Sequence, residues 1–400
     1  MRPENAEKSR IATALSACFG VMLGACWPSV LLAADAAGAG ESRDALFGDD
    51  DDPFKDAPKQ GTPSSGGNGI KGFLQFEMAR TTESPAHWSK MITRADFSGS
   101  GNLGNGIKWK LGARVDYDAV YSLYDDYPGR VERDQRFNVY LRENYLDVGA
   151  GNWDFRLGKQ NVVWGEMVGL FFADVVSARD MREFILPEFD MMRIPQWAAR
   201  AEYFNDDFHA EFLWIPVASY DLIGKPGAEF YPWQIQPPGV NVVYRNEDIP
   251  SRTLENSNYG IRLSTLANGW DVSGFAYSSM DVSPTFYRDA ASVPGTYIFR
   301  AKHDRIQQYG GTVAKDFGEV VLKGEMVYTH GRQFTVLRAS DSNGVVPQNT
   351  LDWALGLDFS LPADTRFNVQ FFQRQYFSHD SDLIADAREG AGETLYGLGA

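Results

Sequence analysis

From Gly69 onward, apolar and polar residues alternate with a period of two. Trp109, Leu111, Ala113, Val115, Tyr117, Ala119 and Tyr121 alternate with Lys108, Lys110, Gly112, Arg114, Asp116 and Asp118, and Val120 breaks the pattern. The same rhythm runs through Val320, Leu322, Gly324, Met326 and Tyr328, and through Leu351, Trp353, Leu355, Leu357 and Phe359. Successive side chains of a strand point to opposite faces, so each run predicts a strand with one apolar and one polar face. The runs are about ten residues long, which is what a tilted strand needs to cross a bilayer.

The connections say what kind of sheet these strands build. Tight turns stand at 149–152, 205–207, 267–269, 315–318 and 362–364. Long irregular connections stand at 165–195, 216–258, 280–303, 330–349 and 377–392. Short and long alternate strictly, as in a barrel with tight turns on one membrane face and long loops on the other. Further back, 122–134 is another long connection and Gly99 to Gly106 a turn, with Gly72–Arg80 pairing Trp88–Phe97 in a first hairpin. The expected fold is all-β: a transmembrane antiparallel up-and-down β-barrel over 69–400. About fourteen strands are visible, and about sixteen are expected of a complete chain. Glu393 to Ala400 reads as a shortened last strand without the usual terminal aromatic. The competing reading is a soluble sandwich or propeller with the apolar face as its core. Alternation alone does not separate the two.

Composition sharpens the choice. Aromatics make up 14% of the chain, Gly numbers 39 and the net charge is −15. Rings suit barrel strands, where they form girdles at the membrane interfaces. The acidity argues against a nucleic-acid partner. Arg2, Lys8 and Arg10 precede an apolar run from Ile11 to Leu32 and the small residues Ala33, Ala34 and Ala36, so 1–36 reads as a secretory signal peptide. Within it Leu23-Gly24-Ala25-Cys26 matches a lipobox, although Trp27 is atypical. Cys18 and Cys26 are the only cysteines, so removal of this leader leaves no thiols. Residues 37–68 carry Asp49-Asp50-Asp51-Asp52-Pro53 and a Gly/Ser/Pro tract, and read as an acidic disordered arm. No later stretch has the roughly 18 apolar residues of a membrane helix, so any span must be β.

If the ring-bearing face meets lipid, the other face lines a lumen. That face carries Arg114, Asp116, Asp118, Arg136, Arg142, Arg156, Arg200, Glu202, Glu211, Arg262, Lys323 and Glu325. A lipid-facing Arg or Lys at mid-membrane costs roughly 2–4 kcal/mol, so these residues point inward. They form either an electrostatic filter or an ion-pair network that fills the interior, and the acids near most of the bases favour the network. Glu143 and Lys159 fall in phase with apolar neighbours, which a β-bulge near each would repair.

The connection 165–195 is too apolar for a solvated loop, with Met167, Val168, Leu170, Phe171, Phe172, Phe184, Ile185 and Leu186. Exposed, it would aggregate. It is expected to fold into the lumen as a constriction formed by Trp164, Glu166, Phe171, Phe172, Arg179, Asp180, Arg182 and Glu183; the alternative is a lid on the rim. A charged helical turn is expected from Ser177 to Glu183, capped by Ser177. The 216–258 connection, with six prolines and Tyr220, Phe230, Tyr231 and Trp233, reads as a semi-rigid aromatic mouth.

Catalysis finds little support. The histidines His87, His209, His303, His330 and His379 show no zinc spacing, and no serine lies in a G-x-S-x-G context. No catalytic residue, metal or cofactor is expected.

One stretch carries a resemblance. Leu141-Arg142-Glu143-Asn144-Tyr145-Leu146-Asp147 is followed by Arg156-Leu157-Gly158-Lys159-Gln160 and Val163-Trp164-Gly165-Glu166. Ala173-Asp174-Val175-Val176-Ser177-Ala178-Arg179-Asp180, Arg182-Glu183-Phe184, Arg193-Ile194-Pro195 and Ala201-Glu202-Tyr203-Phe204 complete the string. It resembles the proteobacterial outer-membrane family filed as domain of unknown function 1302, over most of 70–400 and most densely over 141–217. The resemblance implies a barrel without an established activity. It also implies an association with a periplasmic partner and an inner-membrane export pump of the resistance-nodulation-division type, and so with hydrophobic small molecules. Together these readings point to a Gram-negative outer-membrane channel or transporter for a small, partly hydrophobic organic solute, in contact with outer-membrane lipid and built by the outer-membrane assembly machinery. The alternative is a non-conducting surface or assembly protein whose barrel anchors partner-binding loops.

Overall fold

A computed structural model describes residues 69–167, 172–183, 189–229, 231, 239, 241–290, 294–336, 342–361, 365–377 and 394–399. The expected leader, its lipobox and the acidic arm lie outside the described residues. Strands β1 (Gly69–Arg80), β2 (Trp88–Gly104) and β3 (Ile107–Asp118) come first. The short helices α1 (Val120–Leu123) and α2 (Gly129–Gln135) follow, then β4 (Phe137–Leu141), β5 (Asn144–Ala150) and β6 (Trp153–Gln160). Next come the two-residue strands β7 (Ala178–Arg179) and β8 (Arg193–Ile194), with α3 (Phe189–Met192) between them. β9 (Gln196–Asn205), β10 (Phe208–Val217), β11 (Asn241–Tyr244), β12 (Asn258–Ala267) and β13 (Trp270–Met280) continue the chain. β14 (Thr285–Asp289), β15 (Thr296–Lys302) and β16 (Arg305–Asp316) lead to the long β17 (Val320–Thr335) and β18 (Val345–Leu361), then β19 (Thr365–Tyr376) and β20 (Thr394–Gly399).

The main sheet runs β1-β2-β3-β5-β6-β9-β10-β12-β13-β16-β17-β18-β19-β20, each strand beside its predecessor, with β4 attached to β3. The fold is an antiparallel up-and-down β-barrel. Its tight turns follow the chain's chemistry. Asn105-Gly106 and Asn268-Gly269 join β2 to β3 and β12 to β13 with positive φ at both residues, the primed-turn geometry that matches strand twist. β2 therefore runs on to Gly104, and the turn expected over 99–106 narrows to two residues.

The exposure of the two faces is the reverse of that in a water-soluble sheet. On β10, Phe208, Phe212 and Trp214 are exposed while His209, Glu211, Leu213 and Ile215 are buried. On β17 Met326 is exposed between buried Glu325 and Val327. On β18 Leu355 and Leu357 are exposed while Asp352 and Ala354 are buried. In water each such apolar side chain would forgo roughly 1.5–3 kcal/mol of burial. A continuous apolar outer face over strands of this length fits a hydrocarbon surround. Among the described residues no helix is long and apolar enough to cross a membrane.

By internal packing the chain divides into a unit of 1–101 and 112–140 and a unit of 102–111 and 141–400. In the smaller unit, Arg94 bonds Glu77 at 3.0 Å and lies 3.5 Å from Asp116, and Tyr121, Tyr127 and Val131 are buried. In the larger unit two expectations change. The connections over 216–258 and 280–303 are not wholly irregular: β11, β15 and β14 form a separate three-stranded sheet around Tyr231, Phe286, Phe299 and Ala301. Its strands pair through a backbone ladder, β11 with β15 and β14 with β15, which satisfies their N–H and C=O groups. β17 and β18 also extend into the connection expected over 330–349.

The parity slip has two different causes. Along β4 the exposed residues are the odd Phe137, Val139 and Leu141, whereas β5 exposes the even Leu146. The strand breaks at Arg142 and Glu143, where Glu143 pairs with Lys110 and accepts the Asn161 amide at 3.3 Å. A break with its own ion pair replaces the expected bulge. At Lys159 the register with both neighbours is unbroken, so no bulge occurs there either, and the lysine stands near the strand end.

Candidate functional site

The segment between β6 and β9 crosses the inward faces of the larger unit's strands. Trp164 is fully buried, with its ring 5.2 Å from Phe275 and 5.6 Å from Tyr277 on β13, and its Nε1 donates to Glu211 Oε1 on β10 at 3.1 Å. Glycine makes room for it. A Cβ on Gly260 of β12 would stand 2.8 Å from the indole, and one on Gly356 of β18 would stand 2.8 Å from Met167 Cε. Phe172 meets Phe372 of β19 edge-on at 6.1 Å. Val162, Ala173, Val175 and Val176 complete a core with Ala198, Leu213, Ile215 and Val327 of the wall. The contacts at Gly356 and Glu325 fall within β18 and β17, away from the strand termini.

One carboxylate fastens it. Glu325 of β17 accepts the backbone N–H of Glu166, of Met167 at 2.7 Å and of Ala173 at 3.1 Å. Three amides converging on one buried carboxylate are charge-assisted bonds, each worth more than a neutral one. Glu325 is thus a fastener for the segment rather than an open charge on the wall.

The other predicted residues are mostly paired. In the smaller unit, Arg114 Nε lies 3.2 Å from Asp116 Oδ1 and its guanidinium covers the Tyr140 ring at 4.5 Å. Asp118 accepts the amides of Met91 and Val120, each at 3.0 Å. Arg136 is exposed just after α2 and belongs to no strand. In the larger unit, Arg142 donates to the Arg193 carbonyl at 3.0 Å. Arg156 bonds both oxygens of Asp147, at 3.1 and 2.7 Å, and lies over Tyr145. Arg200 meets Glu202 at 2.8 Å, and Glu202 also meets His209 Nε2 at 3.1 Å. Arg262 reaches Glu166 at 3.5 Å and Lys323 reaches Asp358 at 3.4 Å.

Within the segment, Phe171 lies outside the described residues, as do Val168, Leu170, Phe184, Ile185 and Leu186. Arg182 bonds Asp180 through two nitrogens, at 2.8 and 2.7 Å, and Glu183 is half-buried. The helical turn expected over Ser177 to Glu183 is absent: Ala178–Arg179 pairs with Arg193–Ile194. Ser177 donates its hydroxyl to the Val162 carbonyl at 3.1 Å and caps nothing. Tertiary acceptors override the local helical preference, since the Arg179 amide donates to Asp221 Oδ1 at 2.7 Å. Burial pushes the Asp221 carboxyl above its usual range, with the Ser283 hydroxyl and Arg179 acting against the shift. Burial likewise pushes the neighbouring Tyr220 up to about 12.

A family model described as a protein of unknown function, DUF1302, matches residues 43–386. The chain belongs to this family. No curated relative matches it. Among solved structures it is similar to OmpF of Salmonella typhi in complex with daunomycin, at 12% identity and a TM-score of 0.41, covering 82% of this chain and 83% of that one. It is similar to a loop-deletion form of OmpT, an outer-membrane protein of Vibrio cholerae, at 10% identity and a TM-score of 0.41, covering 77% and 82%. An anion-selective porin from Comamonas acidovorans gives 12% identity and a TM-score of 0.39, covering 78% and 80%.

The motif string that carried the resemblance to DUF1302 covers the segment and the strands that flank it in the chain, β5, β6 and β9. Asp147 and Asp174 stand in the motif string without a role in the expected site, and Asp221, Asp281, Asp358, Gly260 and Gly356 were not singled out at all; all are partners in the structure. Asp147, Gly260, Gly356 and Asp358 stand in the inward phase of their strands, and that was the available signal. Among the described residues no group of three or more His, Cys, Asp or Glu is placed to hold a metal ion.

Proposed function

We propose that this DUF1302 protein is an outer-membrane channel for a small, partly hydrophobic organic solute, gated or narrowed by the segment between β6 and β9. The observation that carries this reading is the fastening of an apolar segment to Glu325 at mid-wall, inside a sheet whose outer face is apolar. Filtering by charge and size needs no catalytic residue and no cofactor. Delivery follows the expected route: export by the leader, insertion by the outer-membrane assembly machinery, and lipid around the apolar face. A periplasmic partner and an inner-membrane export pump would supply or receive the solute. Planar-bilayer recording tests this reading. Steady current that rises when 167–190 is deleted supports it. Absence of current before and after the deletion favours the second reading, a barrel that anchors a partner-binding surface. That reading draws on the small sheet of β11, β15 and β14, which has its own aromatic core.

A further inference from the structure

Beside the inserted segment lies a cavity of about 340 Å³, with Phe172 and Val175 of the segment and Ile306 of β16 among its apolar lining. Arg332 of β17 and Arg374 of β19 both enter it. Each guanidinium is held along its Nε–Nη2 edge by one aspartate. Arg332 donates from Nε to Asp281 Oδ2 at 2.7 Å and from Nη2 to Asp281 Oδ1 at 3.3 Å. Arg374 donates from Nε and Nη2 to the two oxygens of Asp352, the latter at 3.2 Å.

In both pairs the acid is the deeper member. The arginine side chains are 23% and 29% exposed, while each aspartate is 6% exposed. The remaining charged groups are similarly engaged: Asp174 meets Arg193 Nε at 3.2 Å, and Arg179 donates to the Asp174 carbonyl at 3.1 Å. Three arginines and three aspartates cancel formally, but what a solute reaches first is guanidinium. A planar donor fork fixed on one edge by a buried acid holds its remaining donors in a set orientation, and carboxylate is the group that geometry suits; Arg374 also bonds Tyr376.

We propose that this cavity is a binding subsite for an organic carboxylate, its charge at Arg332 and Arg374 and its apolar part on Phe172 and Ile306. It deepens the channel reading by naming the class of solute, and rests on that reading only for how the solute arrives.

Titration calorimetry on the detergent-solubilised full-length protein, with sodium benzoate and with benzamide, tests it. The probes share a ring and differ in charge. Benzoate is expected to bind saturably and at least ten-fold tighter than benzamide. The double variants R332Q/D281N and R374Q/D352N remove base and acid together, so neither leaves a buried charge unpaired. Each is expected to weaken benzoate at least ten-fold and leave benzamide unchanged. Equal binding of the two probes, no saturable benzoate binding, or full benzoate affinity in both double variants would overturn the proposal. Current is not the readout: binding without conduction removes the channel reading alone, and conduction without discrimination removes the subsite alone.

Discussion

Two long connections of the larger unit meet opposite ends. The segment between β6 and β9 lies on the wall and takes its core partners from it, Leu213, Ile215, Phe275, Tyr277 and Val327. The β14–β15 connection, joined by β11, pairs with itself around Phe286, Phe299 and Ala301. The difference lies in how backbone N–H groups are satisfied. In Thr296–Lys302 a ladder with β11 and β14 supplies the acceptors. In the segment between β6 and β9 side chains supply part of them, with Glu325 and Asp221 among the suppliers. A segment of the second kind is only as secure as a few acceptors.

Glu325→Ala should separate the two connections most strongly. It strips three amides of their acceptor, at roughly 1–3 kcal/mol each. The segment is then expected to become open to trypsin at Arg179 and Arg182 while the barrel keeps its heat-resistant migration on gels. Continued protection of both sites would refute the fastening role of Glu325.

Trp164→Ala and Phe299→Ala form a matched pair, each removing a fully buried ring at about 3–5 kcal/mol. Only the first is expected to loosen the inserted segment and raise single-channel conductance. The second should expose the small sheet to protease and leave conductance at the wild-type level. Equal effects of the two on conductance would erase the distinction between the connections.

The smallest effect concerns Asp221, whose carboxyl is raised by burial. A raised acid favours the folded state most fully below its unfolded pKa, and that contribution is lost as pH rises through the folded one. Asp221→Asn removes the titration. Relative to this variant, the wild type should gain thermal stability as pH falls from 7 toward 4. A pH-independent difference in melting midpoint would exclude Asp221 as the cause.

Strand existence, the hairpin order and which face bears rings were legible in the chain, because a period of two is a local property that burial on one side preserves. The bases of the polar face were legible for the same reason, and three of them form the ion pairs Arg156–Asp147, Arg200–Glu202 and Lys323–Asp358. The helical turn over Ser177 to Glu183 failed because its amides are claimed by residues far along the chain. Gly260 and Gly356 carried no visible meaning alone, since a missing Cβ matters only when an indole or a thioether arrives from another strand.

The alternation, the turns and the apolarity of the segment after β6 are written in the chain, since all of them depend on neighbours a few residues apart. That Glu325 holds that segment across 158 residues of chain, and that aspartates stand behind Arg332 and Arg374, emerges only on folding. Such pairings are set by which strands lie opposite one another, and no local period records that.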